Sequence, residues 1–239
     1  MQDFTNPPQI QGYAPQAVQA ETSEALFFQR VYMWMCGGLL VTAAVALGIF
    51  NSSFRNVVAS SGGLLVLTLL AQFGLVLAIG VLARRLPVAA VRGLFLLYAA
   101  SMGITVSLFL VVYPSNVIFK AFLSASAIYA GTAAYGLLTK RSLQRLGGFL
   151  LMNVFGLVAL MVINIAFKSP MLDYVFCWIG VIVFSALTAY DHQKLRVIHA
   201  GGFASQEEEG KVVILGALEL YLDFINLFLF IVRILGARR

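Results

Sequence analysis

Seven apolar runs, at 31–50, 62–83, 93–113, 117–138, 147–167, 171–190 and 212–235, occupy most of this 239-residue chain. Each has the roughly 20 residues that a helix needs to cross about 30 Å of hydrocarbon. Lipid offers no water to unpaired peptide groups, so runs of this kind satisfy their backbone internally, as helices. The short alternating strands of an outer-membrane barrel are missing from the pattern. The chain is 61% hydrophobic and 11% charged, against about 25% charged residues in an ordinary soluble domain. A water-soluble enzyme or a nucleic-acid-binding module is therefore a poor fit. The expectation is an all-α integral membrane protein with seven transmembrane helices over 25–239. A flexible tail over 1–24, carrying Pro7, Pro8 and Pro15, precedes it.

Only Lys120, Asp173, Glu219, Asp223 and Arg233 place a charge inside these runs. Lys120, Asp173 and Arg233 lie near run ends, where a side chain can reach the headgroups. The basic residues alternate with the crossings. The side of the amino terminus receives Arg30, Arg84, Arg85, Arg92, Lys140, Arg141, Arg145, Lys194, Arg196 and Lys211. The far side receives Arg55, Lys120, Lys168, Arg233, Arg238 and Arg239. The positive-inside rule then predicts a cytoplasmic amino terminus and, after seven crossings, an outer carboxyl terminus. Arg233, Arg238 and Arg239 run against that placement, which a last run that stops short of crossing would explain. The longest inner connection is 191–211, whose Glu207-Glu208-Glu209 reads as a solvated loop or a helix start. Cys36 and Cys177 sit in apolar runs as small hydrophobes. Gly37-Gly38, Gly62-Gly63, Gly131, Gly136, Gly147-Gly148 and Gly156 permit close helix packing.

The residues that carry chemistry are acids within or beside these runs. Asp223 lies deep in the last one, where an ionised carboxylate facing lipid would cost at least ~2.5 kcal/mol. Glu219, Asp223 and Asn226 are spaced four and three apart and share one helix face. That stripe points to an ion or proton path; its plainer role would be hydrogen bonding between helices. Asp191, in Tyr190-Asp191-His192, closes the sixth run. If Asp191 meets Asp223, the two carboxylates would share a proton and act as a pH sensor. Counting 1.5 Å per residue leaves Asp223 about 10 Å deeper than Asp191. Contact needs tilt, a water cavity or a last helix that begins above the membrane. Arg84 and Arg85 end the second run on the same side and read either as topology anchors or as a latch on an acid. His192 reads as a surface histidine, with modulation of a proton switch as the alternative.

Glu219-Leu220-Tyr221-Leu222-Asp223-Phe224-Ile225-Asn226-Leu227-Phe228, with Tyr190-Asp191, Met102-Gly103-Ile104-Thr105 and Arg84-Arg85, resembles the Bax inhibitor family of membrane proteins, on its bacterial calcium-leak side. The resemblance runs from about residue 25 to 236. It implies seven helices with the last one central and enclosed by the other six. It also implies a pH-sensitive, passive calcium leak channel of the bacterial inner membrane. Asp191 and Asp223 would form the pH sensor, and Arg84 or Arg85 would latch the closed state on Asp191. Calcium is then the permeant ion, with no cofactor. The resemblance carries no role onto Glu219, but calcium prefers oxygen ligands, and Asp223, Glu219 and Asn226 could supply them transiently along the path. The partners implied are the lipid bilayer, protons and a membrane protease; nucleic acid is not among them, and a monomer is the simplest assembly.

Three other readings compete. A modulator of a protease or stress response would keep the acids for structure alone. A proton-coupled cation antiporter would use the same path and proton site. An intramembrane aspartyl protease would use Asp191 and Asp223 to activate water. Tyr221-Leu222-Asp223 lacks the glycines of the Gly-x-Gly-Asp motif of such enzymes, so the chain is expected not to be an enzyme.

Overall fold

The computed structural model describes residues 16–167 and 169–237. Most of the proline-bearing tail, Lys168, Arg238 and Arg239 fall outside them. The helices are α1 (Gln16–Phe50), α2 (Phe54–Ser60), α3 (Gly62–Leu82), α4 (Val88–Val112), α5 (Ser115–Leu138), α6 (Leu146–Phe167), α7 (Pro170–Ala200) and α8 (Gln206–Gly236). Seven are long and apolar; α2, at 7 residues, is a connector. Prolines mark the starts: Pro87 and Pro114 stand before α4 and α5, and Pro170 opens α7 behind the Ser169 cap. Proline's fixed φ suits a first turn, whose N–H groups have no helical partner.

α8 is the core. It packs directly against α1, α4, α5 and α7, while α3 flanks α4 and α6 flanks α7. Of its apolar stretch 67% is buried, against 22–44% in α1, α4, α5 and α7. Leu40, Leu70, Val81, Phe119, Met152 and Ile182 are exposed on the surrounding helices, as a lipid-facing surface requires. The enclosure expected for the last helix is thus direct for four neighbours and completed from an outer row by two.

Small residues and hydroxyls set these contacts, because apolar area alone gives no preference for protein over lipid. A methyl group on Gly38 would strike Phe95 and Tyr221, on Gly103 it would strike Val45, and on Gly136 the Ala189 carbonyl. Gly37, Gly63, Gly131, Gly148 and Gly156 meet nothing, so only part of the expected glycine set packs helices. Between α1, α4 and α8, the Thr42 hydroxyl donates to the Ala99 carbonyl at 2.8 Å or to Gly38 at 3.0 Å. Its single proton committed, Thr42 Oγ1 accepts from the Tyr221 hydroxyl at 2.6 Å. Between α3 and α4, the Gln72 amide donates to Ser101 O and Thr105 Oγ1, both at 2.9 Å.

Three boundaries differ from expectation. α1 begins at Gln16, inside the tail expected over 1–24 and well before the apolar run at 31. α7 continues ten residues beyond Tyr190, and α8 starts at Gln206, so the connection is 201–205 rather than 191–211. Charge ends the apolar run at Asp191 but not the helix. Leu195 is 1% exposed and packs on Gly216 of α8, so the buried stripe of α7 continues through the charged stretch. Ser205 caps α8 by accepting from Glu208 N at 3.1 Å, and Glu208 accepts from Ala204 N at 2.9 Å. Glu207-Glu208-Glu209 is thus the first turn of α8, where the helix dipole favours acids.

At the far end Arg233 pairs with Asp173 and lies over the Phe176 ring. These two residues join α8 to α7 rather than reaching headgroups. α8 runs unbroken for 31 residues, about 46 Å at 1.5 Å per residue, which is long enough to cross.

Candidate functional site

The antiparallel register of α7 on α8 builds the site. Phe230 covers Gly180 and Leu195 covers Gly216, with Asp173–Arg233 and Lys194–Glu219 pairing toward the two ends. Asp191 and Asp223 consequently fall at one level of the interface. The 10 Å depth mismatch was an artefact of counting both helices from a common membrane edge. α7 continues to Ala200 and α8 starts at Gln206, so neither helix ends where its apolar run does.

Asp223 is 3% and Asp191 8% exposed. Asp223 lies beside Thr188 and within electrostatic reach of Asp191, Glu219 and Lys194. Its Oδ2 has no hydrogen-bond partner. Thr188 already donates its hydroxyl proton to Phe184 O at 2.8 Å. An orphaned oxygen in a buried carboxyl is costly, and a proton or a cation would satisfy it. Lys194 Nζ lies 2.6 Å from Glu219 Oε1 and 3.9 Å from Asp191 Oδ1. One ammonium group therefore serves carboxylates on both helices.

His192 is not at the surface. It is fully buried because it sits on the same face as Thr188 and Leu195, which turns inward. Its Nδ1 is 2.6 Å from Thr188 O, while Nε2 lacks a partner. Phe28 stacks on it and Tyr32 and Tyr129 complete the enclosure. Tyr129 also meets Phe224 edge-on and donates its hydroxyl to Met35 Sδ at 3.4 Å. This aromatic wall seals the cluster on the side of α1 and α5.

The remaining expected residues lie apart. Asn226 is half-buried, and its amide donates to Leu222 O at 2.8 Å within its own helix. Arg84 and Arg85 are exposed in the turn after α3. α3 packs on α4 and α2, and among the described residues neither arginine forms an ion pair with Asp191. Lys194 holds that position instead. Lys194, Thr188 and Tyr129 were missed as site residues. The spacing of Phe184, Thr188, Asp191, His192 and Leu195 could have revealed the inner face of α7. Among the described residues no three His, Cys, Asp or Glu side chains converge as a metal site.

A helical membrane bundle wrapped around its last helix, with a buried carboxylate cluster between that helix and its predecessor, is the class that fold and site define. Residues 24–239 match the family model described as "Inhibitor of apoptosis-promoting Bax1", and the chain belongs to that family. It is 37% identical over 226 residues to "Inner membrane protein YbhL" of Escherichia coli K12, covering 93% of this chain and 96% of that protein. A Deinococcus radiodurans protein is 38% identical over 213 residues, covering 89% and 90%. YrjE of Lactococcus lactis is 35% identical over 213 residues, covering 88% and 90%.

Proposed function

We propose that the chain is a pH-sensitive leak channel that lets calcium pass down its gradient across the bacterial inner membrane. The observation that carries this reading is the buried Asp223, within electrostatic reach of Asp191 and with an unpartnered Oδ2, on the helix that the rest of the bundle surrounds. A carboxyl there persists because it takes a proton or meets a cation. Calcium prefers oxygen ligands, and Asp223 and Glu219 could supply them in passing, with Asn226 one turn on. Protonation of the Asp191–Asp223 pair removes the negative charge that keeps the neighbouring cation in place, so acidification opens the path. The amino terminus lies in the cytoplasm and the carboxyl terminus outside, with Arg84 and Arg85 anchoring the inner side or serving as a latch. Likeness to a relative whose own name is "Inner membrane protein YbhL" and the family match support the setting. A membrane protease remains a partner to seek by co-purification.

Calcium flux into liposomes containing the purified protein tests this. The expected result is a leak that rises as pH falls and loses its pH dependence in Asp223→Asn. A leak that is indifferent to pH, or unchanged by that substitution, would reject the role. Saturating transport that requires an opposing proton gradient would mark an antiporter instead.

A further inference from the structure

Resting on the leak reading, we infer that Lys194 is the residue that holds this chain's path shut, by binding Glu219 of α8 and Asp191 of its own helix at once. Three observations converge on it. First, its ammonium donates a hydrogen bond to Glu219 Oε1 at 2.6 Å and lies at ion-pair distance, 3.9 Å, from Asp191 Oδ1. Second, Glu219 lies one turn before Asp223 on α8, so Lys194 stands between the buried aspartates and the water at the α7–α8 turn. The ammonium charge repels a cation on that route, and the ion pair closes the seam between the two helices. Third, the other cations that α1, α7 and α8 carry on this side are engaged elsewhere. Arg30 pairs with Glu209, and Lys211 pairs with Glu207 at 3.1 Å. Arg196 binds Glu24 at 3.0 Å and donates to Leu137 O at 2.7 Å.

The turn itself is held on the amino-terminal side by Ser23–His199, Glu24–Arg196 and Arg30–Glu209. The Gln193 side chain binds the α5–α6 connection through Arg141 O and Leu143 N. The end of α7 is thereby anchored to its surroundings while, among the described residues, Lys194 is the cation of α7 that bridges to α8 beside the acids. The titratable and charged groups around it are Tyr190, Asp191 and His192 on α7, Glu219 and Asp223 on α8, Tyr129 on α5 and Tyr32 on α1. Of these, Asp191 couples the bridge to the proton site: when it gains a proton, Lys194 loses one of its two anions and the bridge rests on Glu219 alone.

The test is calcium flux into liposomes across a range of pH. It uses the parent, Lys194→Gln, Lys194→Arg, Glu219→Gln and the double variant Arg84→Gln/Arg85→Gln, with matched thermal midpoints. Lys194→Gln and Glu219→Gln should raise the leak at alkaline pH on the order of 5-fold, what a half-exposed ion pair is worth in an equilibrium. Lys194→Arg should close as the parent does, and the double arginine variant should keep the parent's pH profile. If Lys194→Gln closes normally while the parent gates, the assignment to Lys194 falls and the leak reading stands. Opening by the double arginine variant alone would transfer the role to α3 and overturn the assignment. A parent without flux at any pH overturns the leak reading and this assignment with it.

Discussion

Asp223 and Thr42 show how polar groups survive at the centre of a bundle in lipid. Thr42 is satisfied, tying α1, α4 and α8 through Ala99 O and the Tyr221 hydroxyl. Thr42→Val removes these bonds at nearly constant volume and leaves Tyr221 without its acceptor. Hydrogen bonds in membrane bundles average about 0.6 kcal/mol each, so a loss of roughly 1 kcal/mol is expected, seen as a lower midpoint in detergent unfolding. An unchanged midpoint would mean that another group accepts from Tyr221. Asp223, unlike Thr42, keeps an orphaned oxygen. His192 shares that trait at Nε2, walled in by Phe28, Tyr32 and Tyr129. His192→Phe should preserve the fold by keeping the ring stack. It should leave the pH response of the leak intact if the aspartates alone sense protons, and a shifted response would bring His192 into the sensor. The importance of Asp223 was legible from its place in an apolar run. The burial of His192 was not, because charged neighbours on both sides disguised a stripe that continues inward.

At the scale of helices, close approach decides the geometry. α5 meets α7 where Gly136 faces the Ala189 carbonyl, and α7 meets α8 where Gly180 accepts the Phe230 ring. Gly136→Ala should therefore push α5 from α7 beside Tyr129 and the acids, costing about 1–3 kcal/mol as overpacking does. Gly131→Ala, on the same helix with nothing near it, should leave the unfolding midpoint unchanged or raise it. Equal effects from the two would show that helix propensity, not the contact, is being measured. The seven runs were readable because hydrophobic length is a strong signal. The true ends of α7 and α8 were not, since polarity reports where the membrane stops and packing reports where a helix stops. Met102-Gly103-Ile104-Thr105 illustrates the same limit. Its residues attracted notice as a motif, and the structure gives Gly103 a contact with α1 and Thr105 a bond from Gln72.

For the whole molecule, the contacts of Ser23, Glu24 and Arg30 with the end of α7 and the start of α8 place the α7–α8 turn on the side where α1 begins. Thiol labelling from each face, with single cysteines in the 201–205 turn and after Gly236 on a background lacking Cys36 and Cys177, should mark the turn from the cytoplasm and the carboxyl end from outside. Labelling of both from one face would mean that α8 does not cross. The central claim is that Asp223 is kept inside the bundle because it binds a proton there. Infrared spectroscopy of the protein in lipid reads this directly through the carbonyl stretch of a protonated carboxyl. The expected result is such a band that vanishes as pH is raised, in step with closure of the leak, and that is missing from Asp223→Asn. A band that persists unchanged in Asp223→Asn, or one that does not respond to pH while the leak does, would contradict it.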